Sequence, residues 1–219
     1  MKMNSNALYD DLLRRIIDLS LYPGMQLSEN AVSAEYNVSR SVVRGAFARL
    51  VESNLLKVYP QRGTYVSLVN LNYIQKALFI RAAVEKEVLR RFMAGPISKE
   101  DTIGKMELNL QRQRQFVGEK KYVENFRLLD EQFHNCILAG NDSEDILHLL
   151  DQHLLHIARW RNIYVDSGVY LATLVEQHEK ILEAVKSNDL DAALLATDVH
   201  INTVHGMVVD DPEFTNFFE

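Results

Sequence analysis

Residues 27–56 read LSENAVSAEYNVSRSVVRGAFARLVESNLL. Ser28 is placed to cap a short helix running through Ala31, Val32 and Tyr36. Asn37-Val38 interrupts it, and Ser39 stands where it caps a second helix that turns Val42, Val43, Phe47, Leu50 and Val51 inward. A short helix, a tight turn and a second helix form a helix-turn-helix arrangement. The second helix leaves Ser39, Arg40, Ser41 and Arg44 facing outward in its first turn and a half, where a recognition helix presents side chains to base edges. Arg can bond two acceptors on guanine, and Ser can bond a base or a phosphate.

The flanks extend the pattern. Upstream, Leu8, Leu12, Leu13, Ile16 and Ile17 make one apolar stripe, ended by Tyr22-Pro23-Gly24. Downstream, LLKVYPQRGTYVSLV (55–69) has two β-rich runs around Pro60-Gln61-Arg62-Gly63, which predicts a two-stranded hairpin with a basic tip. A glycine there lets the backbone approach a phosphate or enter a minor groove. The plainer alternative is a small helical subdomain with a solvated arginine face. Helix, helix-turn-helix and basic-tipped hairpin in succession are more specific than that.

Composition sets the frame. The 219 residues are 25% charged with four prolines, which suits a globular, helix-rich chain. The net charge of −6 is uneven: residues 1–70 hold eight Lys/Arg against six acids, and residues 71–219 hold 16 against 24. A mildly basic head on an acidic body argues against indiscriminate nucleic-acid binding but allows a local contact. No apolar run approaches the ~18 residues that span a bilayer, and the first residues lack the apolar core of a signal peptide. The single cysteine, Cys136, excludes an intramolecular disulfide and suits a reducing compartment. The expected location is the cytoplasm, on the nucleoid.

From Leu71 onward helical stripes run through 71–94, 100–117, 119–139, 143–165, 168–187 and 189–208, separated by short breaks such as Gly95-Pro96 and Ser187-Asn188-Asp189. The predicted fold is mainly α: a winged helix-turn-helix domain over 1–69 and an all-α antiparallel helical bundle over 70–219.

Within that bundle, Asp130 and His134 are four residues apart, so they share one helix face. His178 and His200 each lie 11 residues from Asp189, or roughly 16 Å from the turn at helical rise. In an antiparallel hairpin they stand at the same height. One carboxylate and three imidazoles suit Zn²⁺, Ni²⁺ or another late first-row divalent ion. Three satisfied helix histidines and an Asp remain the alternative. Arg81 either faces a pocket or pairs with Glu85 at i,i+4. Arg159 and Arg161 are candidates for a carboxylate ligand, and His148, His153 and His156 lie on a helix expected to pass near the cavity.

No nucleophilic triad, phosphate-cradling glycine motif or dinucleotide fingerprint is present, so binding without turnover is expected. Two rivals stand beside that reading. One is a metal-dependent hydrolase with Glu131 or Glu179 as general base. The other is a regulator whose metal is purely structural.

The stretch YPGMQLSENAVSAEYNVSRSVVRGAFARLVESNLLKVYPQRGTYV (22–66) resembles the winged-helix head of the GntR family of bacterial transcription regulators. The matching pieces are PG-x-x-LSE, NVSRS-x-VR-x-A and the QRGTYV wing. LDEQFH, QHEKILEAV and DVH are similar to the metal motifs of that family's FadR-type branch, whose body is the all-helical FCD domain. The resemblance implies that Ser39, Arg40, Ser41 and Arg44 read a major groove, with Arg62-Gly63 as the wing tip. It implies that Asp130, His134, His178 and His200 hold a metal, and that a small organic acid is the effector. A homodimer on a near-palindromic DNA operator is the geometry such a head requires. Val42 and Gly45 depart from the family's PVREAL, and Asn30 stands where some relatives carry an arginine. A helical glycine costs roughly 1 kcal/mol relative to Ala, which predicts a looser recognition helix.

Overall fold

Asn4 starts the first helix, its side chain accepting from Ala7 N–H at 2.9 Å. The computed structural model describes residues 3–96, 98–119, 123–140, 146, 149, 151–166, 171–203 and 214–219. Helix α1 (Ser5–Ile17) buries Leu8, Leu12, Ile16 and Ile17 and leaves Leu13 half-buried. Strand β1 (Gln26–Leu27) leads into α2 (Glu29–Glu35), which Ser28 caps through its Oγ. Asn37, at φ 50°, turns the chain into α3 (Arg40–Glu52). Val43, Phe47 and Leu50 of α3 meet the buried face of α1 in one apolar cluster.

Gly45 has a packing reason that the sequence does not announce. A Cβ there would lie 2.6 Å from Ser5 Oγ and 3.4 Å from Ser5 Cβ. The glycine lets α1 and α3 approach closely, so its propensity cost accompanies a contact and not merely a loose helix.

Strands β2 (Leu56–Tyr59) and β3 (Gly63–Val66) form the predicted hairpin, with Tyr59 opposite Gly63 and Leu56 opposite Val66. Gly63 sits at φ 108°, a conformation that requires glycine. The sheet has three strands in the order β1-β3-β2, not two. The two residues of β1 are too few for alternation to register in sequence.

Six helices follow among the described residues: α4 (Leu71–Ala94), α5 (Glu100–Gln113), α6 (Glu124–Ala139), α7 (Asp151–Asp166), α8 (Leu171–Lys186) and α9 (Leu190–Asn202). Asn70 caps α4 and Asp189 caps α9, each accepting from the N–H three residues on. A short 3₁₀ turn, Arg114–Phe116, extends α5. The breaks proposed at Asn141-Asp142 and Ser167-Gly168, residues 204–208 and His148 lie outside the described residues. The fold is thus mainly α, with a winged helix-turn-helix head and a helical body.

Head and body have separate apolar cores. Helix α7 joins them: Leu155 packs on the head core, Asn162 Nδ2 donates to Ile17 O at 2.8 Å, and His156 Nε2 donates to Ser53 O at 2.9 Å. Arg159 donates to Ser67 O in the connecting segment. The last residues run beside that segment, with Val69 N–H donating to Phe217 O at 2.7 Å and Phe218 edge-on to Trp160. Among the described residues no helix is long and apolar enough to cross a membrane.

Gly45→Ala gains about 1 kcal/mol in helix propensity but meets Ser5. The expected outcome in urea unfolding is little or no gain for Gly45→Ala alone. Most of the propensity gain should return when Gly45→Ala is made in a Ser5→Ala background.

Candidate functional site

Asp130 and His134 project from α6 into the body, where His178 of α8 and His200 of α9 meet them. All four are buried, and their candidate ligand atoms lie within 4.8 Å of one another. His200 Nε2 is 3.0 Å from His134 Nε2 and 3.2 Å from His178 Nε2. His178 Nε2 is 3.5 Å from Asp130 Oδ1. The α8–α9 hairpin therefore brings its two histidines to the same height, as the symmetry about Asp189 predicts.

The other ring nitrogens explain why the Nε2 atoms converge. His134 Nδ1 faces Glu85 Oε2 at 2.8 Å, His178 Nδ1 faces Gln113 Oε1 at 2.8 Å, and His200 Nδ1 faces Gln177 Oε1 at 3.1 Å. The amide orientations follow from their own partners: Gln113 Nε2 donates to Asn109 Oδ1 at 2.6 Å and Gln177 Nε2 to Thr203 Oγ1 at 2.6 Å. Each Nδ1 thus faces an oxygen acceptor, and each Nε2 is turned toward the others. This is the orientation that outer-shell acceptors impose on metal-ligating histidines. The donor set of three imidazoles and a carboxylate fits a divalent ion of the zinc or nickel type.

Charge at the site is managed by arginines. Burial alone would raise the Glu85 carboxyl, but Arg81 and His134 beside it bring it down to about 2. Arg81 Nε donates to Glu85 Oε1 at 2.5 Å, so Glu85 links Arg81 to His134. Arg161 donates to Asp130 Oδ2, and with the nearby histidines it holds that carboxyl far below its usual range despite burial. Burial pushes His178 down to about 3 and His200 well below its ordinary value. Both imidazoles are neutral and available as donors at ordinary pH.

A cavity of about 580 Å³ opens beside this cluster. Arg81, Arg127 and Arg161 line it against Glu85, Asp130 and Glu131, with Tyr9 and Leu13 of α1 on another wall. Arg81 therefore both faces the cavity and pairs with Glu85. Arg159 does not line it; it lies at the junction of head and body on Ser67 O. His153 and His156 are likewise at the junction, His153 Nδ1 lying 2.7 Å from the Tyr73 hydroxyl. Glu131 lines the cavity paired with Arg127, whereas Glu179 is turned onto Arg114 at 2.7 Å on an exposed face.

In the head, Ser39, Arg40, Ser41 and Arg44 are all exposed on one end of α3. Ser39 occupies the N-cap position without a capping hydrogen bond; its Oγ lies 2.8 Å from Ser41 Oγ instead. Arg44 Nε donates to Glu29 Oε2 at 2.9 Å. At the wing tip Arg62 O accepts from Gln26 Nε2 at 3.0 Å and from the Tyr65 hydroxyl at 3.1 Å, which fixes the backbone just before Gly63.

Sequence reasoning did not single out Gln113, Gln177 or the bridging part of Glu85. Glutamines are common on helices, and only the fold shows which ones face a histidine.

Comparison with known proteins agrees with this architecture. Residues 4–66 match the bacterial regulatory proteins of the gntR family, and residues 76–203 match the FCD domain. The HTH-type transcriptional repressor RspR of Escherichia coli K12 is 32% identical over 200 residues, covering 91% of this chain and 86% of its own. An HTH-type regulator from an unstable DNA locus of Streptomyces ambofaciens is 31% identical over 93% of this chain and 84% of its own. Among solved structures, E. coli McbR/YncC superposes with a TM-score of 0.71 at 18% identity over 93% of this chain and 95% of its own. The chain belongs to the GntR family of bacterial transcription regulators and carries an FCD effector-binding domain. Its relatives are named as regulators, not enzymes.

The buried neutral histidines give a pH signature. An unfolded histidine protonates near its ordinary value of 6.5, whereas folded His178 does so only near 3. As pH falls below 6.5 the unfolded chain takes up protons that folded His178 and His200 refuse, so stability falls. Each such histidine adds to the loss, by at most on the order of 1 kcal/mol per pH unit once the unfolded group is protonated. Urea midpoints of metal-free protein should therefore drop between pH 7 and pH 5, and the slope should be shallower in His200→Gln.

Proposed function

We propose that this regulator senses a small organic acid at a divalent metal held by Asp130, His134, His178 and His200, and that occupancy sets its affinity for an operator. The observation that carries the reading is the convergence of three Nε2 atoms, each ring oriented by an acceptor at its Nδ1. Three imidazoles and a carboxylate brought to one buried point are costly unless an electropositive group sits among them. Zinc or nickel would supply that charge and a position for a carboxylate. Arg81, Arg127 and Arg161 on the cavity wall would receive the rest of an anionic ligand.

In this reading residues 1–69 form the DNA-binding domain and residues 70–219 the effector and dimerisation domain. Ser39, Arg40, Ser41 and Arg44 read the major groove, and the Arg62-Gly63 tip reaches the adjacent backbone or minor groove. Arg81 serves the effector, whereas the place of Arg159 away from the cavity favours a junction role. One head offers few base contacts, so two heads on a two-fold operator are required. Phe79 on α4 and Leu195 and Val199 on α9, exposed 74%, 66% and 51%, offer a face for a second copy. The protein would act in the cytoplasm, on the nucleoid.

Untagged protein should contain close to one zinc or nickel per chain by elemental analysis, and His178→Ala with His200→Ala should remove it. Absence of metal even after reloading would return the four residues to core packing. With metal present, a carboxylate screen should move operator affinity. If chelation lowers stability but no carboxylate acts, the metal is structural.

Arg44→Ala should weaken operator binding by about tenfold, in line with about 1–3 kcal/mol for an arginine that reads bases, with unchanged circular dichroism. Phe79→Glu should shift the sedimentation coefficient toward a monomer and weaken operator binding as well.

A further inference from the structure

The cavity beside the Asp-His cluster is not enclosed by the body alone. Tyr9 and Leu13, both on α1 of the head, share its wall with Asp130, His134 and Arg161. A ligand that fills the space therefore meets the head directly.

Tyr9 also has a second neighbour. The Arg49 guanidinium lies over its ring, 3.6 Å from the centroid, within the range of a cation–π contact. Arg49 Nη1 further donates to Asn6 Oδ1 of α1 at 3.1 Å. Arg49 belongs to the last turn of α3, the helix that carries Arg40, Ser41 and Arg44 at its other end. Helix α3 is one uninterrupted element, so a shift at Arg49 is carried to its first turn.

We propose that Tyr9 couples cavity occupancy to the recognition helix, because one side chain contributes to the cavity wall and supports Arg49. The inference rests on the reading of the cavity as the effector site. It adds the residue through which occupancy is transmitted. Filling the cavity shifts or clamps the Tyr9 ring, and Arg49 moves with it. A coupling of this kind needs two sites that bias the same element, not mere proximity along a path.

The test needs no knowledge of the effector, because side chains can fill the cavity in its place. Ala158→Met from α7 and Ala139→Met from α6 each add volume to the wall. Operator affinity is measured by fluorescence anisotropy on DNA selected by the wild-type chain, for each filling variant in the wild-type, Tyr9→Phe and Tyr9→Ala backgrounds. At least one filling variant with wild-type circular dichroism should change affinity by about fivefold or more, the lower end of ordinary allosteric couplings. The change should persist with Tyr9→Phe, which keeps the ring, and fall below about twofold with Tyr9→Ala. An equal change in all three backgrounds, or no change from folded filling variants, overturns the proposal.

Zinc titration of wild type and Tyr9→Ala separates the two readings. Tyr9→Ala should bind zinc as wild type does. If wild type binds none, the metal reading fails while the filling series still reports on the coupling.

Discussion

Three imidazoles held with their Nε2 atoms 3.0–3.2 Å apart around His200 are the constraint on which the body is organised. Such a cluster cannot be left loose, because each unsatisfied polar group in a dry interior costs free energy. The satisfaction comes from all around it. Glu85 is on α4, Gln113 on α5, Asp130 and His134 on α6, Arg161 on α7, Gln177 and His178 on α8, and His200 on α9. Each of the six described body helices thus contributes a residue to one polar network, and the apolar core of the bundle closes around it. A polar network with its members paired specifies one arrangement of the helices more sharply than apolar packing does.

Helix α7 is where that network meets the head. Arg161 on one side holds Asp130, while Leu155, Arg159 and Asn162 on another reach the head core, Ser67 O and Ile17 O. The junction is polar where the cores are not. Arg159 is only 1% exposed, and burial brings its guanidinium down to about 10, so it stays charged at neutral pH. Its Nε and Nη1 find no partner among the described residues. A buried charge that is incompletely paired opposes the packing around it.

Much of this was legible in the sequence. The helix-turn-helix, the wing and the six body helices follow from apolar spacing and from Asn, Ser, Asp and Gly at the ends. The four-residue step from Asp130 to His134 and the symmetry of His178 and His200 about Asp189 bring the four residues together from spacing alone. What escaped had no local signature. Strand β1 is two residues long, and its pairing to Thr64 and Tyr65 is a tertiary fact. Gly45 read as a weak point because its contact, Ser5, is forty residues away in sequence. Gln113 and Gln177 looked like ordinary helix residues, since nothing nearby in the chain shows that a histidine faces them. Arg159 and Arg161 differ by two positions yet serve different places, because two residues on a helix do not share a face.

The state of the head bears on the proposed control. Arg44, proposed to read bases, pairs with Glu29 in an ion pair with Arg44 68% and Glu29 37% exposed. Exposed pairs of this kind are worth about 0–1 kcal/mol, so exchanging Glu29 for a base edge costs little. The wing tip is already fixed through Arg62 O, and the α1–α3 core beneath is closely packed. In the proposed function a ligand in the body acts through the elements that head and body share, which are α1 with Tyr9 on the cavity wall, α7 and the segment around Ser67–Asn70.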